Sequence, residues 1–235
     1  MNAPDPDPTP VVLLHGWGGS YAMTWRNSTL EHSLRAAGRQ VIELDLPGHG
    51  TGPVSHEPSD YEFIADLVAE SLPPDNVLDA IGFSLGGKLL LQLAAEQPGR
   101  FRRLAVGGVG GNLFLPEAGE AVSKGLLEGL PDDAPTVLRS VVDEARASGN
   151  DLRGMSAVIR RPPRPVTPEA LAEIRADVLL LVGAEDGIAG LLEPLAAALP
   201  AAETVVVEGL DHMSTPSSTE FQERAAAFID GGPAR

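Results

Sequence analysis

The chain has 235 residues, with 33 Asp and Glu against 17 Lys and Arg, a formal charge of −16, 26 glycines, 21 prolines and no cysteine. At this length one domain buries roughly 70% of its unfolded surface, so no staple is needed, and the missing cysteines exclude a disulfide scaffold or a thiolate zinc site. The acidic balance repels phosphate backbones and anionic lipid, which argues against nucleic-acid and membrane partners.

The first ten residues, MNAPDPDPTP, combine four prolines with no basic or apolar run. An extended lead-in is expected there, without a signal peptide, and hence a cytoplasmic protein. Short apolar runs follow in order: Val11 to Leu14, Val41 to Leu44, Val77 to Ile81, Leu104 to Val106, Val178 to Val182 and Thr204 to Val207. Most lack polar alternation, as strands buried on both faces do. Between them lie helical stripes at Ile64, Leu67, Val68 and Leu72, at Lys88 to Ala95, and at Phe221, Ala225, Phe228 and Ile229. This alternation predicts an α/β fold, a mostly parallel sheet of about six strands flanked by helices. From Asn112 to Pro168 the strand signal stops and helical patterns such as Val137, Leu138, Val141, Val142 and Ala145 take over. A helical insertion over 112–168 is expected, splitting a core of residues 1–111 and 169–235. Thr167 and Pro168 can cap and start a helix back into the sheet.

The strongest chemical signal is Gly82-Phe83-Ser84-Leu85-Gly86-Gly87, a G-x-S-x-G placed between a predicted strand and a predicted helix. A serine at the tip of such a turn is held in a strained conformation that exposes its hydroxyl, and glycines before and after it let strand and helix pass closely. A serine hydroxyl is a weak nucleophile, so a base and a group orienting the base are required. Gly183-Ala184-Glu185-Asp186 follows the fifth run and Gly209-Leu210-Asp211-His212 the sixth, which in a parallel sheet is the same edge as Ser84. Asp186 is preferred to Glu185 by its G-x-x-D spacing, and to Asp211 because neighbouring side chains in extended chain point apart. The loop Gly107 to Asn112 contains no carboxylate. After the first run, His15-Gly16-Trp17-Gly18-Gly19 can offer backbone amides to an oxyanion, with Trp17 and Leu85 as the donors.

His15 and His49 are expected in local hydrogen bonds, and His32 and His56 at the surface. The sequence lacks H-E-x-x-H, a phosphate-binding G-x-x-x-x-G-K-[ST] and a well-placed G-x-G-x-x-G, so neither metal nor cofactor is expected.

With these motifs in order, HGWGG, DLPGHG, GFSLGG, VGAED and GLDHM, nearly the whole chain resembles the α/β-hydrolase superfamily. The resemblance implies Ser84 as nucleophile, His212 as general base, Asp186 as its orienting acid, Trp17 and Leu85 as the oxyanion hole, and 112–168 as the variable cap. Lys88, Phe114 and Met213 are expected to contact substrate. Only ten residues precede Val11, where many members carry a β-hairpin, so a minimal six-stranded sheet is expected. The serine sets aside the branches that use an aspartate nucleophile. The leading expectation is a serine carboxylesterase acting on a small-molecule ester or related acyl substrate. Alternatives are an elimination lyase or C–C bond hydrolase resembling the menaquinone-biosynthesis branch, or a non-catalytic ligand-binding member.

Charge leaves one further point open. Residues 112–168 hold eight acids and seven bases, close to neutral on an acidic chain. Arg160, Arg161 and Arg164 either solvate a proline-rich connection or, with Lys88, contribute to a carboxylate site.

Overall fold

The computed structural model describes residues 9–74, 77–115, 117–199 and 201–231. In chain order the elements are β1 (Val11–Leu14), α1 (Tyr21–Thr24), α2 (Thr29–Ala36), β2 (Val41–Leu44), α3 (Ile64–Glu70), β3 (Leu78–Phe83), α4 (Leu85–Glu96) and β4 (Phe101–Gly107). There follow α5 (Gly119–Glu128), α6 (Thr136–Ala147), α7 (Leu152–Ile159), α8 (Pro168–Leu171), β5 (Asp177–Gly183), α9 (Glu193–Ala198), β6 (Glu203–Val207) and α10 (Thr219–Ile229). The six strands form one sheet in the order β2-β1-β3-β4-β5-β6, and every pairing is parallel.

Successive residues of a strand face opposite sides, and the two layers of core follow that period. Val12 and Leu14 of β1, with Ala80, Val106 and Leu180, pack beneath α3, α4 and α9. Val11 and Leu13, with Ile81, Ala105 and Leu179, pack against α2 and α10 through Leu30, Leu34, Phe221 and Phe228. Burying each such valine, leucine, isoleucine or phenylalanine stabilises the fold by roughly 1.5–3 kcal/mol. The four inner strands are apolar on both faces over most of their length, with charged residues only near their amino ends, at Asp79 of β3, Arg102 and Arg103 of β4 and Asp177 of β5. The outer strands β2 and β6 are not: Glu43, Glu203 and Val206 are exposed, so the expectation of two buried faces fails at both edges. The proline-rich stretch ends as expected, with the Thr167 hydroxyl accepting from the Ala170 amide and Pro168 opening α8, which is a single turn.

The chain order reverses at β1, which lies between β2 and β3. A crevice therefore opens where the loops after β1 and β3 diverge, at the carboxyl ends of the strands, the usual place for a site in an open parallel sheet. The helices α5, α6 and α7 fall between β4 and β5, and α5 packs on both α6 and α7.

Candidate active site

Ser84 joins β3 to α4 with φ 51° and ψ −116°, a backbone region that a residue with a side chain adopts at a cost of about 1–3 kcal/mol. Its neighbours enforce the turn. A Cβ on Gly86 would lie 2.6 Å from the carbonyl oxygens of Leu14 and His15, and one on Gly82 would lie 2.7 Å from Leu90 and 2.8 Å from the Gly86 backbone. The Ser84 amide donates to the Gly107 carbonyl at 2.8 Å, which ties the strained residue to the end of β4.

The loops after β5 and β6 bring the other two groups to the same edge. His212 Nε2 lies 3.0 Å from Ser84 Oγ, and His212 Nδ1 lies 2.8 and 2.9 Å from the two oxygens of Asp186. Asp186 is itself held by the amides of Ile188 and Ala189, which donate to Oδ1 at 3.0 and 2.8 Å. A carboxylate so fixed favours the proton on Nδ1 of His212 and leaves Nε2 facing the serine. Phe83 packs against the His212 ring with centroids 4.9 Å apart, and a side chain on Gly108 would press on both. Gly107 at the end of β4 and Gly108 after it thus make room for Phe83, Phe221 and His212, a packing role with no signature in the local sequence. Glu185 and Asp211 are both exposed, and Asp211 Oδ1 accepts from the Ser214 amide and hydroxyl at 2.8 and 2.6 Å.

The loop after β1 is built on two neutral histidines. His15 Nδ1 lies 2.7 Å from the Gly16 carbonyl while Nε2 accepts from the Leu46 amide. His49 Nδ1 lies 3.1 Å from the Pro47 carbonyl while Nε2 accepts from the Gly18 amide at 3.1 Å. Burial pushes His15 down to about 4 against the weaker pull of its Gly16 bond and of Asp45. Burial, helped by His15, pushes His49 down to about 3. The Gly18 and Gly19 amides are engaged, the latter with the Gly16 carbonyl. Among the described residues the Trp17 and Leu85 amides have no such acceptor, and Leu85, as the first residue of α4, has none within its helix. The Trp17 indole donates to the Met155 carbonyl of α7 at 3.0 Å, linking this loop to the helical excursion.

Above Ser84 and His212 opens a largely apolar cavity of about 660 Å³, in the range that takes a small organic ligand. Its walls come from the loop after β1, from α4, and from α5 and α6. Lys88 and Met213 line it. Phe114 does not: it faces a neighbouring cavity and packs on the core, while Leu115 reaches the site. Glu144 of α6, which the sequence did not single out, also lines it; burial, reinforced by Asp211 and opposed by His212, raises its pKa. The three arginines separate. Arg161 and Lys88 both pair with Glu117, at 3.1 and 3.2 Å, Arg164 lies over the Phe63 ring, and Arg160 donates to the Ser156 carbonyl. Among the described residues no cluster of His, Asp and Glu has the makings of a metal site.

A six-stranded parallel sheet with a strained serine after β3 and an acid and a histidine after β5 and β6 defines a class. The chain belongs to the alpha/beta hydrolase family, whose model matches residues 11–229. It is 30% identical to a pimeloyl-[acyl-carrier protein] methyl ester esterase of Neisseria meningitidis serogroup B over 94% of this chain and 93% of that protein. The counterpart from serogroup C is 41% identical over 96 residues, 41% of this chain and only about a third (35%) of that protein's length. Among solved structures, the 2-hydroxy-6-oxo-6-phenylhexa-2,4-dienoate hydrolase of Rhodococcus sp. strain RHA1 superposes with a TM-score of 0.73 at 22% identity, covering 96% of this chain and 92% of that one. At that identity the likeness concerns the fold. No helix among the described residues is long and apolar enough to cross a membrane.

Proposed function

We propose that this protein is a serine hydrolase that cleaves carboxylic esters of small to medium substrates through an acyl-enzyme. The observation that carries the reading is the unbroken hydrogen-bonded line from Ser84 Oγ through His212 to Asp186. In the first half-reaction Ser84 Oγ attacks the ester carbonyl while His212 Nε2 takes its proton. The tetrahedral oxyanion is met by the amides of Trp17 and Leu85; losing one such donor costs on the order of 3 kcal/mol in the barrier. His212 then protonates the leaving alcohol. In the second half-reaction water, deprotonated by His212, releases the acid. Asp186 holds the imidazole in the required tautomer and stabilises its charged form. These groups are sufficient for acyl transfer, so the proposed reaction calls on no metal or organic cofactor. Residues 112–168 serve as a cap over the chamber, through α5 and α6.

The named activity of the Neisseria relatives supports ester hydrolysis over the elimination and carbon–carbon alternatives. The strain held at Ser84 argues against a purely ligand-binding member, since binding alone does not require it. A fluorophosphonate is expected to label Ser84, and Ser84→Ala to abolish labelling and ester turnover with an unchanged melting temperature. Turnover that survives in Ser84→Ala would refute the assignment.

A further inference from the structure

A second cavity of about 490 Å³ adjoins the Ser84 chamber, and the two share Lys88, Leu115, Glu117 and Ile159. Lys88 stands in the first turn of α4, and its amide donates to the carbonyl of Ser84, the residue that precedes the helix, at 2.9 Å. At the shared wall Glu117 is gripped from both sides. Lys88 Nζ lies 3.2 Å from Oε1, Arg161 Nη2 lies 3.4 Å from Oε1, and Arg161 Nη1 lies 3.1 Å from Oε2. Lys88 also donates to the Asn112 carbonyl, and Arg161 to that of Val158, so both cations are aimed by the backbone. Burial disfavours the Glu117 carboxylate, yet the charges of Arg161 and Lys88 outweigh it and hold its pKa below the ordinary value.

Beyond the wall the lining is apolar, from Leu113, Phe114 and Val166, with Arg160 and Arg164 added. Four cations thus face two acids, Glu117 and Glu120, and among the described residues neither Arg160 nor Arg164 has an acidic partner. A cationic surplus is unusual in a chain of charge −16. A guanidinium and an ammonium converging on one carboxylate form a receptor whose geometry is already demonstrated by its internal occupant.

We infer that this second cavity is a binding site for the far end of the substrate's acyl chain, and that Lys88 and Arg161 receive a carboxylate there in place of, or beside, Glu117. Glu117 lies in no helix or strand, two residues before α5 begins, so no regular element has to break for it to give way. The substrate class is then a half-ester of a dicarboxylic acid, ester at Ser84 and free acid at the wall. The inference rests on the proposed hydrolysis at Ser84.

The test compares p-nitrophenyl esters in pairs of equal length, one neutral and one ending in a carboxylate, at a short and a long chain. The wild type is expected to favour the carboxylated ester in the long pair only. Arg161→Met should lower the ratio of kcat/KM, carboxylated over neutral, at least tenfold through KM. Glu117→Gln, which removes the competing charge and keeps the shape, should raise it. Added salt should shrink the preference. Movement in opposite directions by two variants cannot come from loss of fold. A ratio that neither variant moves, or that falls in Glu117→Gln, overturns the site. Hydrolysis of neutral esters with labelling at Ser84 would meanwhile leave the proposed reaction standing; absence of both would take down the reaction itself.

Discussion

At the amino end of β3, Asp79 is fully buried and receives two guanidinium groups, those of Arg39 and Arg102. Arg39 goes on to the Thr9 carbonyl, the Ile229 carbonyl and Asp230, so the start of β1, the centre of the sheet and the end of α10 are joined by charge. At the carboxyl end of the same strand, Ser84, His212 and Asp186 form a line of similar burial and different character. Every donor of Arg39 at the first site is satisfied by protein. At the second the line ends at a serine hydroxyl on a chamber of about 660 Å³, beside the Trp17 and Leu85 amides, which have no acceptor among the described residues. Buried polarity alone therefore does not mark a site; what marks one is bonding capacity left over and turned toward space.

The largest expected effect sharpens this contrast at the carboxyl end. Asp186→Asn keeps the shape but offers an amide to His212 Nδ1, which selects the wrong tautomer. The fold and melting temperature should hold while kcat for ester hydrolysis falls by about 10⁴, some 5 kcal/mol in the barrier. A drop below tenfold would remove Asp186 from the proposed mechanism.

At the amino end the effect should be on stability and smaller. Asp79→Ala leaves two cations without their shared partner, and breaking a buried pair costs about 3–5 kcal/mol. Arg102 is half-exposed and can turn to water, and Arg39 keeps Asp230, so the lower end, about 3 kcal/mol, is expected. Denaturant unfolding measures it. The fraction that remains folded should hydrolyse esters at the wild-type rate; a matching fall in kcat would mean that the two ends are coupled and the comparison is false.

Much of this was legible from the sequence because the inner strands are short, apolar and parallel, so their ends and the residues just past them fall on one edge. Val11–Leu14 and Val41–Leu44 coincide with β1 and β2, and the other four strands differ at their ends by one to three residues. The helix α2 is not legible from periodicity, since it has only Leu30 and Leu34 as an apolar stripe. Its signal was the cap: Ser28 accepts from the Glu31 amide three residues on. Phe114 was given to the site although Leu115 reaches it, because one turn of tight helix at Gly111–Phe114 decides which neighbour points inward. The Arg39, Asp79 and Arg102 cluster and the Glu117 junction join residues far apart in sequence, and no local pattern announces them.

A third effect, on the pH dependence of stability, belongs to the carboxyl end, where His15 and His49 lie in the loops after β1 and β2. His15 and His49 are held neutral in the fold, well below the ordinary 6.5, and they regain normal proton affinity on unfolding. Between 6.5 and the folded values the unfolded chain binds more protons, so stability is complete above about 6.5 and is lost as pH falls. From pH 6.5 to 5 the loss through His15 is about 1.5 kcal/mol. Asp45, whose carboxyl is lowered below 3.8 on balance by its bonds to Thr51 and Tyr21 despite burial, contributes only at more acid pH. Urea midpoints across this range should slope less in His15→Asn than in the wild type. An identical slope would mean that the loop after β1 does not rest on neutral histidines.

The smallest effect is expected next to the most sensitive residue. Asp211 precedes His212, yet it is exposed and turned to Ser214, where its bonds to the Ser214 hydroxyl and amide hold its pKa low. It makes no hydrogen bond to the imidazole, and its charge reaches His212 mainly through solvent, where screening is strong. Asp211→Asn retains an acceptor for Ser214 and should change stability by less than about 0.5 kcal/mol and kcat/KM by less than about threefold. Set beside Asp186→Asn, the pair separates position in the chain from position in the fold. If Asp211→Asn lost activity on the scale expected for Asp186→Asn, the acid that serves His212 would have to be reassigned, and with it the argument that a bound, oriented carboxylate is what distinguishes the open end of the sheet from the closed one.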